Sequence, residues 1–576
     1  MKRSALSAAL VTLLGLGASG TARATDYYVA TDGSDSNPGT MDMPFATLQK
    51  GASVAAAGDT VYIRGGTYKI TTPANSGAGI NFTKSGTSDT NRIKYWAYPG
   101  ETPVFDFTNL VISTTGYTMG FVVNASYLHF KGLEICCVPM NMFSNNGISV
   151  DGSSGHDIFE QLNMHHNSGN GIFVGNKSGG GHQIVNCDAH DNYDATSNQG
   201  QGQNADGFGV HYQTTGDTTI IRGCRSWWNS DDGYDLINQE VPVTVENSWA
   251  FGNGYAMYGT FNPADGNGNG FKMGSSQTGI RHLVQNNVAW KNKASGFYAN
   301  HSTGGNTWYN NTSFMNGTQY NMLASPAGDP NTTITLTGSL VHIMRNNIGY
   351  PNKNTNMTGV DTMFNTWDLS ITPAGSDFAS IADPSVSMTG MAIEGMGALG
   401  PRQADGSLPD VDFLTLSAAS RMIDKGTDVG LPYVGAAPDL GAYEYGATPA
   451  SGTGGTGTGG TGTGGTGTGG TGTGGKATGG GGIAGSAGRA GTGGAGVAAG
   501  GRSGTGGTAP VDAGTALGTG GTTTGTGGSG TGGATGTDES GSAGCACAVE
   551  ARPPAGALAL AVALLGAFVV RRRRSR

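Results

Sequence analysis

Four aspartates and one lysine have types and spacing that could do chemistry. Asp206 and Asp232 each precede a Gly–aromatic pair, and Lys272 follows a third such pair, while Asp231 and Asp235 lie close to Asp232 in the chain. Carboxylates brought close together repel one another unless a positive charge compensates them. A hard divalent cation takes oxygen ligands, and Ca²⁺ tolerates an irregular set better than Mg²⁺ does. If the fold brings these residues together, the sequence predicts a calcium site beside a lysine.

The elements that must position these residues are predicted from an internal repeat. Between about residues 127 and 352, asparagines recur after short β-branched or aromatic runs, and a second marker, glycine followed by Ile, Phe or Tyr, recurs in parallel. Successive markers lie 24 to 39 residues apart. That spacing fits the coils of a parallel β-helix, with a loop of about a dozen residues added to the longer ones. The asparagine markers are Asn167, Asn192, Asn229, Asn253, Asn292, Asn316 and Asn352, and the glycine markers are Gly147, Gly171, Gly207, Gly233, Gly270 and Gly296.

Alignment of the coils on the glycine marker places the candidate residues side by side, because neighbouring coils lie about 4.8 Å apart. Asp206 and Asp232 then stack directly, and Asp235 lies level with Lys272 of the next coil. Four carboxylates and one lysine are thus predicted to share one small patch. In successive coils the position before the glycine is Asn146, Asn170, Asp206, Asp232, Asn269 and Ser295.

Simpler interpretations exist for each of these features. An Asp–Asp–Gly segment is often a solvated turn, and a single lysine on a strand is often a surface charge. The stacking with Asp206 and the apolar neighbours of Lys272 favour a site instead. Residues 265–270 match the first half of an EF-hand loop, but Ser276 stands where the bidentate Glu belongs. We interpret this loop as a glycine-rich insertion.

Three segments resemble the active-site segments of polysaccharide lyase family 9, the pectate lyases whose base is a lysine. They read Asn–Ala–Asp206–Gly–Phe, Asn–Ser–Asp231–Asp232–Gly–Tyr–Asp235 and Asn–Gly–Phe–Lys272–Met–Gly. The similarity in pattern covers most of residues 25–446. The resemblance implies a right-handed parallel β-helix that acts on polygalacturonate. It also implies that Asp206, Asp231, Asp232 and Asp235 ligate Ca²⁺ and that Lys272 is the general base.

The implied reaction is β-elimination, in which a base removes the C5 proton beside a uronate carboxylate and calcium stabilises the charge that develops. The base must be neutral, so we expect a nearby cation and partial burial to lower the pKa of Lys272. Three alternatives stay open: a polygalacturonase-type hydrolase, another uronan lyase or epimerase, and a non-catalytic calcium-binding surface adhesin. A hydrolase uses an acid and a water-activating base without calcium. A purely structural calcium site has no use for a lysine.

Composition divides the chain of 576 residues into four regions. Residues 1–24 have the charged start, apolar run and small-residue end of a signal peptide, and 25–446 form the predicted lyase domain. Residues 447–543 are almost entirely Gly, Thr, Ala and Ser, as in a disordered linker. In residues 544–576 a Cys–Ala–Cys motif, a short apolar run and an arginine cluster resemble a MYXO-CTERM sorting tag.

These regions predict a secreted or surface-anchored protein whose tail contacts the membrane or the sorting machinery. We expect a monomer. The net charge of −9 argues against a nucleic-acid partner. A helix is predicted within residues 44–57, capping the start of the solenoid, and residues 422–424 and 439–444 resemble a closing segment at its other end. Cys187 and Cys224 should stack on adjacent coils, as a disulfide or as packed thiols.

Overall fold

The computed structural model shows an all-β chain wound into a right-handed parallel β-helix. It describes residues 23–152, 154–175, 178–198, 200–255, 266–275, 279–326, 332–385 and 395–447. Within them each complete coil contributes one strand to sheet A, then one to sheet B, then one to sheet C. The predicted fold class is therefore confirmed.

Sheet A has twelve strands: β1 Asp26–Val29, β2 Thr60–Ile63, β5 Ile93–Ala97, β8 Leu128–Lys131, β11 Ile158–Glu160, β14 Gln183–Val185, β17 Thr219–Arg222, β20 Val243–Glu246, β23 Leu283–Gln285, β26 Thr307–Tyr309, β29 His342–Arg345 and β31 Val360–Met363. Sheet B has ten: β3 Gly66–Lys69, β6 Pro103–Asp106, β9 Glu134–Cys136, β12 Asn163–His165, β15 Asp188–His190, β18 Arg225–Trp227, β21 Trp249–Phe251, β24 Val288–Trp290, β27 Thr312–Phe314 and β30 Ile348–Tyr350. Sheet C has nine: β4 Ala78–Phe82, β7 Met119–Val123, β10 Ile148–Val150, β13 Ile172–Val174, β16 Phe208–Val210, β19 Tyr234–Gln239, β22 Phe271–Ser275, β25 Ser295–Tyr298 and β28 Thr318–Asn321. These counts refer to the described ranges.

The hydrophobic core lies inside the coils, because side chains alternate between the two faces of each short strand. In sheet C the residue after each glycine marker points inward, and stacked aromatic rings run from coil to coil. Their centroids are 4.6 to 5.1 Å apart. The glycine marker has a steric cause: a Cβ at Gly233 or Gly270 would lie 2.7 Å from the carbonyl oxygen of the marker glycine on the next coil. The rings that stack are those of Phe208, Tyr234, Phe271, Phe297 and Tyr320.

The predicted asparagine ladder is present from Asn167 to Asn316 in the turn between sheets B and C. After Asn167, each side-chain oxygen accepts hydrogen bonds from the backbone N–H and the amide of the asparagine one coil earlier, at 2.8 to 3.3 Å. The prediction was wrong at Asn352, which is exposed and donates to Ile371 instead. The buried side chain of Gln319 takes the last position, where its Oε1 accepts from Asn316.

The two cysteines stack on adjacent coils as predicted, and they are thiols rather than a disulfide. They belong to a further buried ladder, in which Cys187 donates its backbone N–H to the Cys224 sulfur and Cys224 donates to the Ser248 hydroxyl. The same ladder continues through Asn287 to Asn365. Both thiols are free and buried, so the prediction that they pack as thiols is confirmed.

The start of the solenoid agrees with prediction, and the segment predicted at its other end packs against the side of the last coils. Helix α1 (Leu48–Val54), capped by the Thr47 hydroxyl, packs on β1, β2 and β4. The predicted closing segment contacts the last coil, where the Gly441 N–H donates to the Asn346 carbonyl at 2.7 Å. Leu440 and Met422 pack in an apolar cluster with Trp249, Trp290 and Ile348, on the outer face of sheet B. The described ranges also contain three short 3-10 helices, at Gly338–Leu340, Gly375–Asp377 and Gly397–Leu399.

The predicted signal peptide, linker and sorting tag lie outside the described residues, apart from a few at their edges. Within the described part of the chain, no helix has the length and apolar character needed to cross a bilayer.

Candidate active site

The strands of sheet C place the predicted residues on the outer face of three neighbouring coils. In β19 and β22 the inward residues belong to the core, so the residues between them, Asp235 and Lys272, face outward. The two strands pair in parallel with Asp235 opposite Lys272, as predicted. The Lys272 Nζ lies 3.0 Å from Asp235 Oδ2 and 2.9 Å from Asp232 Oδ2. The structure thus brings the lysine into direct contact with two of the aspartates.

Asp206 and Asp232 stack before their glycines, and one oxygen of each holds neighbouring coils together. Asp206 Oδ1 accepts the backbone N–H of Asp232 at 3.0 Å, and Asp232 Oδ1 accepts that of Asn269 at 2.6 Å. In adjacent coils Asn146, Asn170 and Asn269 use their side-chain oxygens in the same way. Asparagine would satisfy this ladder equally well. What a carboxylate adds at the two positions is a charged second oxygen.

Asp231 is held from the loop that precedes β22. Its Oδ1 accepts the backbone N–H of Asn267 at 2.9 Å. The described part of that loop therefore supports the aspartates: Asn267 binds Asp231 through its backbone, and Asn269 donates its side-chain amide to Asp232 at 2.9 Å.

All five residues are buried, and the four carboxylates outnumber the single positive charge of Lys272. The exposed fraction is 0 to 4% for the four aspartates and 9% for Lys272. Burial raises the pKa of Asp206 well above its usual value, and repulsion by the other three carboxylates adds to the effect. Burial and the charge of Asp232 do the same to the pKa of Asp231. Burial also acts to raise the pKa of Asp235, but Lys272 and His211 overcome it and lower that pKa to about 2.

The expected lowering of the Lys272 pKa applies to the site with a cation bound, and the carboxylates alone act in the opposite direction. Burial acts to lower it, but the four carboxylates overcome burial and raise the pKa of Lys272 well above its usual value. The lysine is therefore an ammonium when the carboxylates alone surround it. A neutral amine requires that most of the negative charge of the cluster be offset.

The donor set fits a hard divalent cation. One oxygen each from Asp206, Asp231 and Asp232 lie within 4.8 Å of one another. Ligands on opposite sides of a calcium ion are separated by about twice the Ca–O distance of ~2.3 to 2.6 Å, so this spacing matches. Asp235 Oδ1 is buried without a hydrogen-bond partner among the described residues. Carboxylate oxygens of this kind are the ligands that Ca²⁺ takes.

Sequence reasoning missed two side chains beside the cluster. His211, two residues beyond the outward position of Gly209 in β16, places its Nε2 3.5 Å from Asp235 Oδ2 and 4.0 Å from Asp206 Oδ2. Tyr298 lies opposite Lys272 on β25. The period-two alternation of these strands was the available signal, since both residues occupy outward positions next to a predicted site residue.

Comparisons with known proteins agree with this geometry. Residues 27–358 match the family described as "Pel9A-like, right handed beta helix region". Pectate lyase L of Dickeya chrysanthemi is 35% identical over 419 residues, which cover 73% of this chain and 90% of that protein.

Two solved structures share the fold. The crystal structure of pectate lyase Pel9A matches with a TM-score of 0.59 and 32% identity, covering 73% of this chain and 96% of the other. A rhamnogalacturonan lyase matches with a TM-score of 0.60 and 31% identity, covering 68% and 97%. The fold, the acidic cluster with its lysine and these likenesses together show that the chain belongs to the Pel9A-like right-handed β-helix family and is a polysaccharide lyase.

Proposed function

We propose that this chain is a calcium-dependent pectate lyase that cleaves polygalacturonate by β-elimination. The observation that carries the proposal is the contact of Lys272 with Asp232 and Asp235 at the edge of an acidic cluster that fits a divalent cation. The comparisons support the proposal, because relatives that are 35% and 32% identical in sequence are named pectate lyases.

Asp206, Asp231, Asp232 and Asp235 would hold the cation. When bound, calcium would offset the carboxylate charge and attract the uronate carboxylate of the substrate, which stabilises negative charge beside C5. The chain contributes the rest. The ladder bonds through Asp206 Oδ1 and Asp232 Oδ1 fix the position of the second oxygen, Oδ2, of each carboxylate. Little reorganisation is therefore needed on binding.

Lys272 acts as the general base in this proposal. In its neutral form the Nζ takes the C5 proton of a galacturonate, and the oxygen on C4 departs as the C4–C5 double bond forms. Asp232 and Asp235 orient the Nζ, because both lie at hydrogen-bonding distance from it. They also stabilise the ammonium that results, since opposite charges close to a buried group favour its charged form.

The same cluster argues against the alternative functions. A hydrolase needs a protonated acid and a separate base flanking the bond, whereas here a lysine is ion-paired within the carboxylates. An adhesin with a structural calcium site gains nothing from that lysine. Rhamnogalacturonan is a second candidate substrate, because a solved structure described as a rhamnogalacturonan lyase is 31% identical. Both polymers offer a galacturonate whose C4 oxygen can leave.

We also propose that the enzyme acts outside the cell, since a polymeric substrate cannot enter one. The apolar run near the start of the chain and the arginine-flanked run near its end support export and attachment.

The reaction class and the substrate can be tested together. We expect the enzyme to release products with the ultraviolet absorbance of a C4–C5 unsaturated uronate, and to do so faster from polygalacturonate than from rhamnogalacturonan. Absorbance and new reducing ends should rise in parallel. New reducing ends without absorbance would identify a hydrolase, and a faster rise on rhamnogalacturonan would reassign the substrate.

Asp232→Asn separates the cation-binding role of Asp232 from its structural role. The amide oxygen can still accept the Asn269 N–H, as the asparagines of neighbouring coils do. The charged Oδ2 beside Lys272 is lost. We expect the Ca²⁺ concentration for half-maximal activity to rise by at least about 10-fold, the lower end of the effect of residues that merely support metal ligands. The melting temperature in chelator should not fall.

The matched control is Asp217→Asn, which removes one negative charge from a side chain that is 76% exposed. It should leave the calcium requirement unchanged. An equal shift in both variants would mean that net charge, and not the site, sets the affinity.

A further inference from the structure

β-Elimination moves two protons, and Lys272 accounts for one of them. The oxygen that leaves C4 departs with an electron pair and needs a proton of its own. On the basis of the proposed function, we propose that Tyr298 is a second catalytic residue, the acid that protonates this leaving oxygen, and that His301 and Ser325 position its hydroxyl.

The register of sheet C places Tyr298 next to the base. β22 pairs with β25 so that Lys272 lies opposite Tyr298, just as Asp235 lies opposite Lys272 on the coil before. Phe297 points into the core, so Tyr298 faces outward like Lys272. Adjacent positions in such a row are about 4.8 Å apart. C5 and C4 of a galacturonate are bonded neighbours, and a base and an acid acting on them must lie side by side in this way.

The hydroxyl of Tyr298 belongs to a chain of hydrogen bonds. Its oxygen lies 2.9 Å from His301 Nε2, and His301 Nδ1 lies 2.5 Å from the Ser325 hydroxyl. Burial lowers the pKa of His301, and the charge of Lys272 lowers it further, so the imidazole is neutral. A neutral imidazole has one donor and one acceptor. The acid role of Tyr298 requires the tautomer in which Ser325 donates to Nδ1 and the Nε2–H donates to the tyrosine oxygen, which leaves the phenolic proton free to point at the substrate.

Tyr298 also keeps its proton until it is needed. Burial raises its pKa to about 12, opposed by the charge of Lys272 and reinforced by Asp232 and Asp235. Its position opposite Lys272 places the phenol beside the catalytic cluster. A protonated phenol beside a base suits the acid role. The phenol also suits this leaving group. The oxygen on C4 becomes the anomeric hydroxyl of the departing sugar, which is more acidic than an ordinary alcohol.

The step balances without a further reactant. The C5–H bond breaks and its proton binds the Lys272 amine, while its electron pair forms the C4–C5 double bond. The C4–O bond breaks, and the oxygen takes the electron pair together with the phenolic proton of Tyr298. The tyrosinate that results is stabilised by the His301 Nε2–H. Solvent then returns a proton to Tyr298 and removes one from Lys272.

Tyr298→Phe tests this role, because it deletes the hydroxyl and keeps the ring. We expect kcat on polygalacturonate to fall by about 10²- to 10⁴-fold, with KM and the calcium requirement unchanged. The decisive comparison uses an oligogalacturonide that carries a 4-nitrophenyl ether on its terminal C4 oxygen, since nitrophenolate leaves without an acid. On this substrate the variant should match the parent, measured as nitrophenolate release.

Two results would overturn the inference. One is an equal loss on both substrates, and the other is a rise in KM with kcat unchanged; either would show that Tyr298 only shapes or binds the sugar site. Lys272→Ala is the comparator, because it should lose activity on both substrates. Failure of the proposed function is distinct: in that case the parent enzyme itself would form no unsaturated product.

Discussion

Lys272→Ala is expected to reduce lyase turnover by several orders of magnitude, at or beyond the upper end of the ~10² to 10⁴-fold that one acid–base group usually contributes. The substitution removes the proton acceptor and leaves the four aspartates in place. Calcium binding should survive and become tighter, since a positive charge 2.9 and 3.0 Å from two of the carboxylates has gone. The measurement is the initial rate of unsaturated product formation at saturating calcium, with calcium affinity from direct titration.

Lys272→Arg is the matched control for charge. A guanidinium keeps the ion pairs with the carboxylates but is far harder to deprotonate, so this variant should be nearly as inactive as the alanine variant. Both should unfold as cooperatively as the parent, because Lys272 supports no ladder. Substantial calcium-dependent activity in Lys272→Ala would refute its role as the base, and loss of calcium binding would assign it a structural role.

Removal of calcium is expected to abolish activity, and its return to restore it. Without a cation, burial and the mutual repulsion of the carboxylates raise the pKa of Asp206 and of Asp231. Lys272 is then held as an ammonium. The site in this state has neither a neutral base nor a positive charge for the uronate. Progress curves of dialysed enzyme in excess EDTA, followed by excess CaCl₂, measure the effect.

The same experiment has a readout that does not depend on turnover. A ligand that binds only the folded state stabilises it by about 2.7 kcal/mol at 100 times its Kd. The melting temperature should therefore rise with calcium in the parent and rise much less in Asp232→Asn. Full activity of the parent in EDTA would contradict the calcium mechanism.

The register of the catalytic cluster could be predicted because a solenoid repeats by translation. Once the glycine marker aligns two coils, the strand residues that directly follow it are aligned too, so Asp235 must lie opposite Lys272. The glycine is a reliable marker since a side chain there would meet the backbone of the next coil. Residues 37 apart in the chain can thus be identified as neighbours from the repeat.

Features that depend on a residue's environment could not be predicted in the same way. A search for asparagines cannot find Gln319, whose longer side chain completes the ladder from within its own coil. The outward aromatic residues of sheet B, such as Trp249 and Trp290, show that something must cover that face. They do not show that it is the segment around Leu440. The register places Tyr298 beside Lys272, but its hydrogen bond to His301 could not be predicted from that register.

The ladder before the glycines has a consequence for how such a site can arise. Asn170 and Asp206 make the same bond to the following coil, so the solenoid accepts either residue there without a change of backbone. The two side chains differ only in that Asn has an NH2 group where Asp has its second oxygen. The position of an acidic centre along the solenoid axis can therefore be set by single substitutions of Asn and Asp at equivalent ladder positions. A scaffold of this kind can acquire, shift or lose a charged centre while its architecture is inherited intact.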